Sequence, residues 1–317
     1  MVYLAFDLDG TLGNFIIMWR ILCNLKQTEF FNLTPQKASP VADENMEWEL
    51  GISYTSLVKR IAEAEMSRKP LGIFRPGIFK LFKNIVKLKA ENKVQGVIIY
   101  TNNGSLPLVN FVRDVFHYVV KNPVFDGVYY FHHALRTKDA FGKPNPSKNW
   151  LELKRLLKDV GAPDLEPKDV MFFDDQMHQH LTSVLGSNYI KVNPYEYKVP
   201  HERVLDIYHK ALKDSDLLTD MNKANFLNYV KSCTFDTVAT NTTNHLELLT
   251  DEGRVPNKII PTNNVMSSTF MSNAIKRMIS KNNNHNTNND SINTIGGKRT
   301  TRKRKSSSRN LTVWTRY

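Results

Sequence analysis

Cysteine is scarce in this sequence, which holds only Cys23 and Cys233 among its 317 residues. Two cysteines so far apart provide neither a disulfide framework nor the paired spacing of a zinc knuckle. The sequence therefore predicts an intracellular protein of a reducing compartment, and it argues against the disulfide-stabilised and thiol-redox classes.

Long apolar runs are also missing. The opening run at residues 2–6 ends at Asp7, and it is too short for the apolar centre of a secretory signal. A second apolar stretch at residues 15–25 is interrupted by Arg20 and Asn24, and it falls well short of the ~20 residues that cross a membrane. We therefore expect a soluble protein, cytoplasmic or nuclear, with no membrane partner.

Negative charge is missing from the end of the chain. The formal net charge is +12, and the last twenty residues hold eight Lys and Arg side chains without an acid, which leaves +4 for residues 1–297. Apolar residues become rare after about residue 235, and a segment rich in Asn, Ser and Thr cannot bury enough surface to fold. The composition predicts a largely disordered segment at 233–317 with a basic cluster at 298–305.

Three roles are open for the basic cluster. It could bind nucleic acid nonspecifically, act as a nuclear import signal, or only keep the chain soluble. The asparagine-rich run before it, followed by Gly296-Gly297, resembles in composition the ends of many proteins from large DNA viruses of protists. That resemblance implies a viral protein in a host cell.

The sequence does contain a regular alternation of short β-rich runs and longer helical patterns. The β-rich runs lie at residues 2–6, 97–100, 128–131, 170–173 and 189–192. Between them, residues 76–92 and a segment that begins at a candidate cap, Ser147, place apolar side chains at helical spacing. The alternation predicts an α/β fold, a doubly wound parallel sheet of the Rossmann-like type, whose ligands bind beyond the carboxyl ends of the strands.

The connection after the first strand is unusually long. It runs from about residue 13 to residue 72, and a connection of this length typically folds as a lid or small subdomain. It contains two helical patterns and an acidic patch at 43–49. We therefore predict a core at 1–195 with a helical insert at about 13–72, and a C-terminal helical extension at 196–232 with helices at 202–218 and 221–230.

The strongest chemical signal follows the first strand, where the sequence reads Asp7-Leu8-Asp9-Gly10-Thr11. Two carboxylates one residue apart at a strand end can serve one ion or one substrate. From typical residue frequencies, a D-x-D-G-T string occurs by chance in on the order of one in a few hundred chains of this length. The string therefore indicates a site.

Polar residues follow two further strands. Thr101 and Asn102 follow the second, and they offer a hydroxyl and backbone amides to an anionic oxygen. Asp174 and Asp175 follow the fourth, and Lys143 precedes the helix before that strand, in the string GKPNP. We expect these groups to meet at one edge of the sheet.

In this order the pieces resemble the four motifs of the haloacid dehalogenase (HAD) superfamily, most of whose members are Mg²⁺-dependent phosphatases. The resemblance covers about residues 1–195. It implies that Asp7 is the nucleophile, that Asp9 is the general acid and base, and that Lys143 is the charge-stabilising lysine.

The same resemblance implies how phosphate and Mg²⁺ are held. Thr101, with Asn102 beside it, would bind phosphate. Asp175 would bind the metal together with Asp7 and the backbone carbonyl of Asp9. Asp174 stands where most members of the superfamily have glycine; it is a further candidate metal ligand, and we expect it mainly to orient the lysine.

The chemistry of phosphate esters agrees with this set of residues. A phosphate monoester dianion repels an anionic nucleophile, so a carboxylate attacks phosphorus only when cations neutralise the combined charge. Mg²⁺ prefers hard oxygen ligands, which these carboxylates supply. We therefore expect a Mg²⁺-dependent phosphomonoester hydrolase that forms an aspartyl-phosphate on a phosphorylated substrate, either a small molecule or a macromolecule.

Three other interpretations remain open. One is a nucleic acid 3′-phosphatase whose basic tail retains it on the nucleic acid. The triplet Arg75-Pro76-Gly77 resembles one in family members that act on phosphoproteins, although it also occurs in small-molecule phosphatases. The fold could also serve as a non-catalytic binding module that is tethered by its tail.

Overall fold

The computed structural model describes residues 2–27, 51–139, 141–213 and 268–282. All the site residues predicted from the sequence lie within these ranges. Other predicted features lie outside the described residues. They are the acidic patch at 43–49, the end of the predicted helix 202–218, the second helix of the extension at 221–230, and most of the segment 233–317 with its basic cluster at 298–305.

The centre of the fold is a sheet of five strands. The strands are β1 (Tyr3–Phe6), β2 (Gly96–Tyr100), β3 (Gly127–Tyr129), β4 (Val170–Asp174) and β5 (Tyr189–Lys191). They are all parallel, in the order β3-β2-β1-β4-β5. Each strand overlaps a predicted run, so the predicted parallel α/β sheet is confirmed. Because β1 lies between β2 and β4, the residues that follow these three strands meet at one edge.

Side chains of the sheet pack into two apolar layers, one on each face. Leu4 and Phe6 belong to the larger layer, and Tyr3 and Ala5 belong to the smaller one. Every residue of β1 is buried, as expected for a central parallel strand that helices cover on both faces. The ring of Phe6 stacks on that of Phe173, with 4.6 Å between the centroids. This packing fixes the end of β1, where Asp7 follows.

Helices cover both layers. In chain order they are α1 (Ile16–Gln27), α2 (Gly51–Glu65), α3 (Ile78–Ala90), α4 (Leu106–Val120), α5 (Trp150–Asp159), α6 (Gln179–Leu185), α7 (His201–Lys213) and α8 (268–282), with 3₁₀ turns at Pro167–Asp169 and Gly186–Asn188. Helices α5 and α6 pack on the smaller layer, and the others contribute to the larger one. No helix in the described part of the chain has the length and apolar content that a membrane crossing requires.

The predicted insert at 13–72 contains α1 and α2, and both helices pack into the main core. Ile17 of α1 is 1% exposed and Leu57 of α2 is 1% exposed, and both belong to the larger apolar layer. The hydroxyl of Tyr54 donates a 2.6 Å hydrogen bond to Asp114 of α4. As far as the insert is described, its two helices pack into the larger apolar layer.

Helix α8 is an ordered part of the segment at 233–317 that the composition predicts to be largely disordered. Its buried side chains recur at helical spacing and join the larger layer: Met271, Ala274, Ile275, Met278 and Ile279. The hydroxyl of Ser268 donates a 2.7 Å hydrogen bond to the carbonyl of Pro76. The physical reason is local periodicity, since one apolar stripe is enough to bury a helix even where the average composition is polar.

Candidate functional site

Acidic side chains gather at the carboxyl ends of β1 and β4. The backbone N–H of Asp7 donates a 2.8 Å hydrogen bond to the carbonyl of Phe173, which continues the pairing of β1 with β4 for one more residue. One carboxylate oxygen from each of Asp7, Asp174 and Asp175 lies within 4.8 Å of the others. Three of the predicted metal ligands therefore meet as expected from the parallel sheet.

Among the described residues, the lysine at this cluster is Lys148 rather than Lys143. Its Nζ atom lies 2.6 Å from Oδ1 of Asp7 and 2.8 Å from Oδ2 of Asp174, and the residue is 1% exposed. Lys143 is exposed on a turn earlier in the same segment, where its backbone N–H donates a 2.9 Å hydrogen bond to Asp139. The structure thus corrects the sequence prediction, and Lys148 takes the place expected for Lys143.

The start of α5 explains why Lys148 reaches the cluster. The helix is capped by Asn149, whose side chain accepts a 2.9 Å hydrogen bond from the third helical N–H, and not by Ser147 as predicted. Lys148 therefore lies just before the cap, beside the end of the sheet. Its Nζ atom lies 5.5 Å from the ring centroid of Tyr100 and 5.2 Å from that of Phe172. These rings exclude water from the amine and so strengthen its attraction to the carboxylates.

Burial and charge together set the protonation of the cluster. Burial raises the pKa of Asp7 to about 7, although Lys148 acts to lower it. Burial also acts to raise the pKa of Asp174, but bonds from His178 and Lys148 outweigh it and hold that pKa below its ordinary value. For Lys148, burial acts to lower the pKa and the two carboxylates outweigh it, so the pKa is raised. The lysine is therefore protonated at neutral pH.

Asp174 and Asp175 differ in their bonding. Asp174 is fully buried; its Oδ1 accepts a 2.7 Å hydrogen bond from a backbone N–H, and its Oδ2 lies between Lys148 and His178, 3.3 Å from the ring nitrogen. Asp175 is only partly buried, and its Oδ1 lies 3.5 Å from the hydroxyl of Thr11, at the limit of a hydrogen bond. Burial raises the pKa of Asp175, and the charge of Asp174 adds to the effect. Asp174 thus holds the lysine, and Asp175 is the carboxylate better placed to take a further ligand.

The turn after β1 is held close beneath Asp175. Gly10 has a φ of +69°, and a Cβ atom there would lie 2.4 Å from Oδ2 of Asp175, so glycine is required for two reasons. The buried Arg75 connects this turn to the loop after β5: its Nε donates to the carbonyl of Thr11 at 2.8 Å, and its Nη2 donates to the carbonyls of Gly10 and, at 2.6 Å, Asn193. Burial lowers the pKa of Arg75 to about 10, which still leaves it protonated. Arg75 of the Arg-Pro-Gly triplet therefore has a structural role at the site.

Asp9 contacts the loop after β2 instead of the acidic cluster. Its Oδ2 accepts a 2.8 Å hydrogen bond from the side-chain amide of Asn103, a residue that the sequence analysis missed. Partial desolvation raises the pKa of Asp9, and the bond from Asn103 opposes the rise.

Thr101 is 1% exposed, and its hydroxyl accepts a 3.1 Å hydrogen bond from the N–H of Asn103. Asn102 donates a 2.8 Å hydrogen bond to the carbonyl of Pro146 in the segment before α5. The signal for Asn103 was its place in the same polar run.

The charges and donor atoms of the cluster suit a divalent cation. When all four groups are ionised, Asp7, Asp174, Asp175 and Lys148 carry a net charge of −2, and the carboxylates are the hard oxygen donors that Mg²⁺ prefers. Comparisons of this chain with family models, with curated proteins and with solved structures found no match. What the site does must therefore be inferred from its own residues.

Proposed function

We propose that this chain is a metal-dependent phosphomonoester hydrolase that forms an aspartyl-phosphate on Asp7. The observation that carries the proposal is the position of Lys148, whose Nζ atom lies 2.6 Å from Asp7 and 2.8 Å from Asp174. The protonated amine of Lys148 offsets part of the negative charge beside Asp7, and the neighbouring carboxylates could hold a metal ion that offsets the rest.

We also propose that the fold is the doubly wound type of the haloacid dehalogenase superfamily. Strands β2 and β3 lie on one side of β1, and strands β4 and β5 lie on its other side. The change of direction falls at β1, and ligands of open parallel sheets bind beyond the strand ends at such a point. Asp7 lies there.

In the first step an oxygen of Asp7 bonds to phosphorus while the ester P–O bond breaks. Asp9 donates its proton to the leaving oxygen, a role that its raised pKa favours. Lys148 stays protonated and offsets the charge that Asp7 and the phosphate bring together. The hydroxyl of Thr101 and the backbone N–H of Asn102 hold phosphate oxygens.

In the second step water attacks the phosphorus of the aspartyl-phosphate. Asp9 takes the proton from the water, the bond between phosphorus and the Asp7 oxygen breaks, and inorganic phosphate leaves. Asp7 is restored as a carboxylate. Asn103 keeps the carboxylate of Asp9 in one orientation through both proton transfers.

In this proposal Mg²⁺ would be held by the carboxylates of Asp7 and Asp175, which lie close together, and by the backbone carbonyl of Asp9, as the family resemblance implies. When bound, the ion supplies positive charge beside the phosphate. Asp174 then serves to hold Lys148, since both of its oxygens already accept hydrogen bonds. Lys148 alone balances one of the three carboxylates, so the ion is needed for the remaining charge.

The test is hydrolysis of an aryl phosphate by purified protein in Mg²⁺, followed by a panel of sugar phosphates, nucleotides, phosphopeptides and 3′-phosphorylated oligonucleotides. Asp7→Asn should abolish hydrolysis, and Lys148→Met should lower kcat at least about a hundredfold, since it removes a buried charge from the reacting group. Lys143→Met is the matched control and should behave like the wild type. Hydrolysis by Lys148→Met at the wild-type rate would overturn the proposal. An inert wild type that binds no Mg²⁺ in calorimetry would favour the non-catalytic binding module.

A further inference from the structure

A second buried ion pair lies behind the loop that carries Thr101. It joins Arg136, in the segment between β3 and α5, to Glu152, in the first turn of α5. Both side chains are 0% exposed. The proposed reaction steps use neither residue.

The guanidinium of Arg136 connects two loops of the site. Its Nη1 donates a 2.7 Å hydrogen bond to the carbonyl of Thr101, and its Nη2 donates a 2.8 Å hydrogen bond to Oδ1 of Asn102. The same Nη2 lies 3.3 Å from the carbonyl of Asn145, in the segment that leads to α5. The fork of Arg136 thus fixes the conformation of the loop after β2 against the segment that carries Lys148.

The ring of Tyr100 lies close to both Arg136 and Lys148. The centre of the Arg136 guanidinium lies 4.8 Å from its centroid, and Nζ of Lys148 lies 5.5 Å from it. Glu152 lies in the first turn of α5, and Lys148 lies just before the N-cap of the same helix. The acid that pairs with Arg136 and the lysine of the cluster are therefore close along the chain. A shift of the Arg136–Glu152 pair would therefore move both the loop after β2 and the start of α5.

A buried ion pair is often no more stabilising than apolar side chains of similar volume, because both charges lose their hydration. The distinctive contribution of this pair is geometric. While the carbonyl of Thr101 accepts from Arg136, it cannot turn its negative end toward an anion, and the neighbouring hydroxyl and N–H groups keep their orientation. If this loop binds phosphate as proposed, loss of these hydrogen bonds should weaken phosphate binding.

We propose that Arg136, held by Glu152, is a positioning residue that sets the loop of Thr101 and Asn102 in its phosphate-binding conformation. The proposal rests on the proposed phosphatase function. It places the effect of Arg136 on the affinity for phosphate more than on the bond-breaking step. Substitution of Arg136 should therefore change KM and phosphate inhibition more than kcat.

The test compares Arg136→Met and Arg136→Lys with the wild type, well below their melting temperatures. KM and kcat are measured for an aryl phosphate, and Ki for inorganic phosphate. Arg136→Met should raise KM and Ki at least about tenfold, since it removes hydrogen bonds from a charged donor. The KM and Ki of Arg136→Lys should lie between those of the wild type and those of Arg136→Met, because lysine keeps the charge and loses the planar fork.

Tyr129→Phe is the matched control for loosened packing between β3 and α5. The Tyr129 hydroxyl lies 2.9 Å from the carbonyl of Leu156 and 2.8 Å from Asp159. This variant should lose stability and keep the wild-type KM and Ki.

Wild-type KM and Ki in Arg136→Met would overturn the positioning role while leaving the phosphatase proposal intact. An equal rise in Tyr129→Phe would also overturn it, because general loosening would then explain the result. If Arg136→Met does not fold, Arg136→Lys decides, and wild-type constants in that variant would overturn the proposal. A wild type that neither hydrolyses phosphate esters nor binds phosphate would remove both proposals together.

Discussion

The side-chain amide of Asn103 donates a 2.8 Å hydrogen bond to Oδ2 of Asp9, which connects the loop after β2 to the turn after β1. The Oδ1 atom of Asn103 in turn accepts a 2.8 Å hydrogen bond from the N–H of Ser105, the N-cap of α4. Asp9 is thereby held against the start of a helix. A proton donor held in one orientation is what general acid catalysis requires.

Replacement of Asn103 should therefore slow turnover. Asn103→Leu keeps a similar volume and removes the donor, so we expect kcat to fall about ten- to a hundredfold, the range that a hydrogen bond to a charged group represents. KM should change little. Steady-state kinetics on an aryl phosphate measure both, with the exposed Asn122→Leu as control. An unchanged kcat in Asn103→Leu would show that this bond does not orient the proton donor.

The two acids after β4 should have separable effects. Asp175→Asn should raise the Mg²⁺ concentration for half-maximal activity about tenfold or more, because it weakens a proposed ligand of the ion. Asp174→Asn should lower kcat even at saturating Mg²⁺, because Lys148 then loses one of its two carboxylate partners. A Mg²⁺ titration of both variants distinguishes these effects. The reverse pattern would exchange the roles of the two acids.

The positions of Asp7, Asp174 and Asp175 could be predicted because each follows a short apolar run. Parallel strands bring their carboxyl ends to one edge, so the sequence order of the runs was enough to place the acids together. The lysine could not be placed in this way. Lys143 and Lys148 both precede α5, and only the choice of helix cap decides which one reaches the strand ends. The cap signal was Asn149, three residues before an acid in the first turn.

Residues that act through tertiary contacts were not predictable from the sequence. Arg136 lies in an irregular segment without periodicity, and its partner Glu152 is of a residue type that is rarely buried. Helix α8 is different, since its apolar stripe was present in the sequence. In α8 the apolar residues recur with the helical period of 3.6, but the average composition of the surrounding segment is polar, and composition alone predicts disorder.

The titration of the buried Glu65 should make the stability of the protein depend on pH. It is 9% exposed and accepts a 2.8 Å hydrogen bond from the N–H of Ile73. Burial raises the pKa of Glu65 from 4.5 to about 7, against the opposing backbone hydrogen bonds and the charge of Arg203. The folded state therefore binds this proton more tightly than the unfolded chain does. Its contribution to stability is complete below about pH 4.5 and is lost as the pH rises through about 7.

The measurement is urea unfolding of the wild type and Glu65→Gln at pH 5 and pH 8. The difference between their free energies of unfolding should change by about 2 kcal/mol between the two pH values, because the amide does not titrate. The exposed Glu63→Gln should follow the wild type at both pH values. A constant difference between wild type and Glu65→Gln would mean that Glu65 titrates normally in the folded protein.

Helix α8 should contribute to folding. A chain that ends at residue 266 should lose about 3 kcal/mol or more of unfolding free energy relative to one that ends at residue 283, because several buried apolar side chains are lost. A point variant gives the same test without truncation. Ala274→Glu should destabilise the protein, whereas the exposed Asn273→Glu should not. Equal stability of the two truncated chains would show that α8 adds nothing to the core.

The central claim is that Asp7 carries the phosphoryl group during turnover. The most direct measurement is mass spectrometry of the peptide that contains Asp7, from protein quenched in acid while it hydrolyses a phosphate ester in Mg²⁺. We predict one phosphoryl group on Asp7 in the wild type, none in Asp7→Asn, and a much smaller fraction in Lys148→Met, whose nucleophile has lost its neutralising amine. Rapid hydrolysis with no phosphoryl group on Asp7, or with the group on another side chain, would contradict the claim.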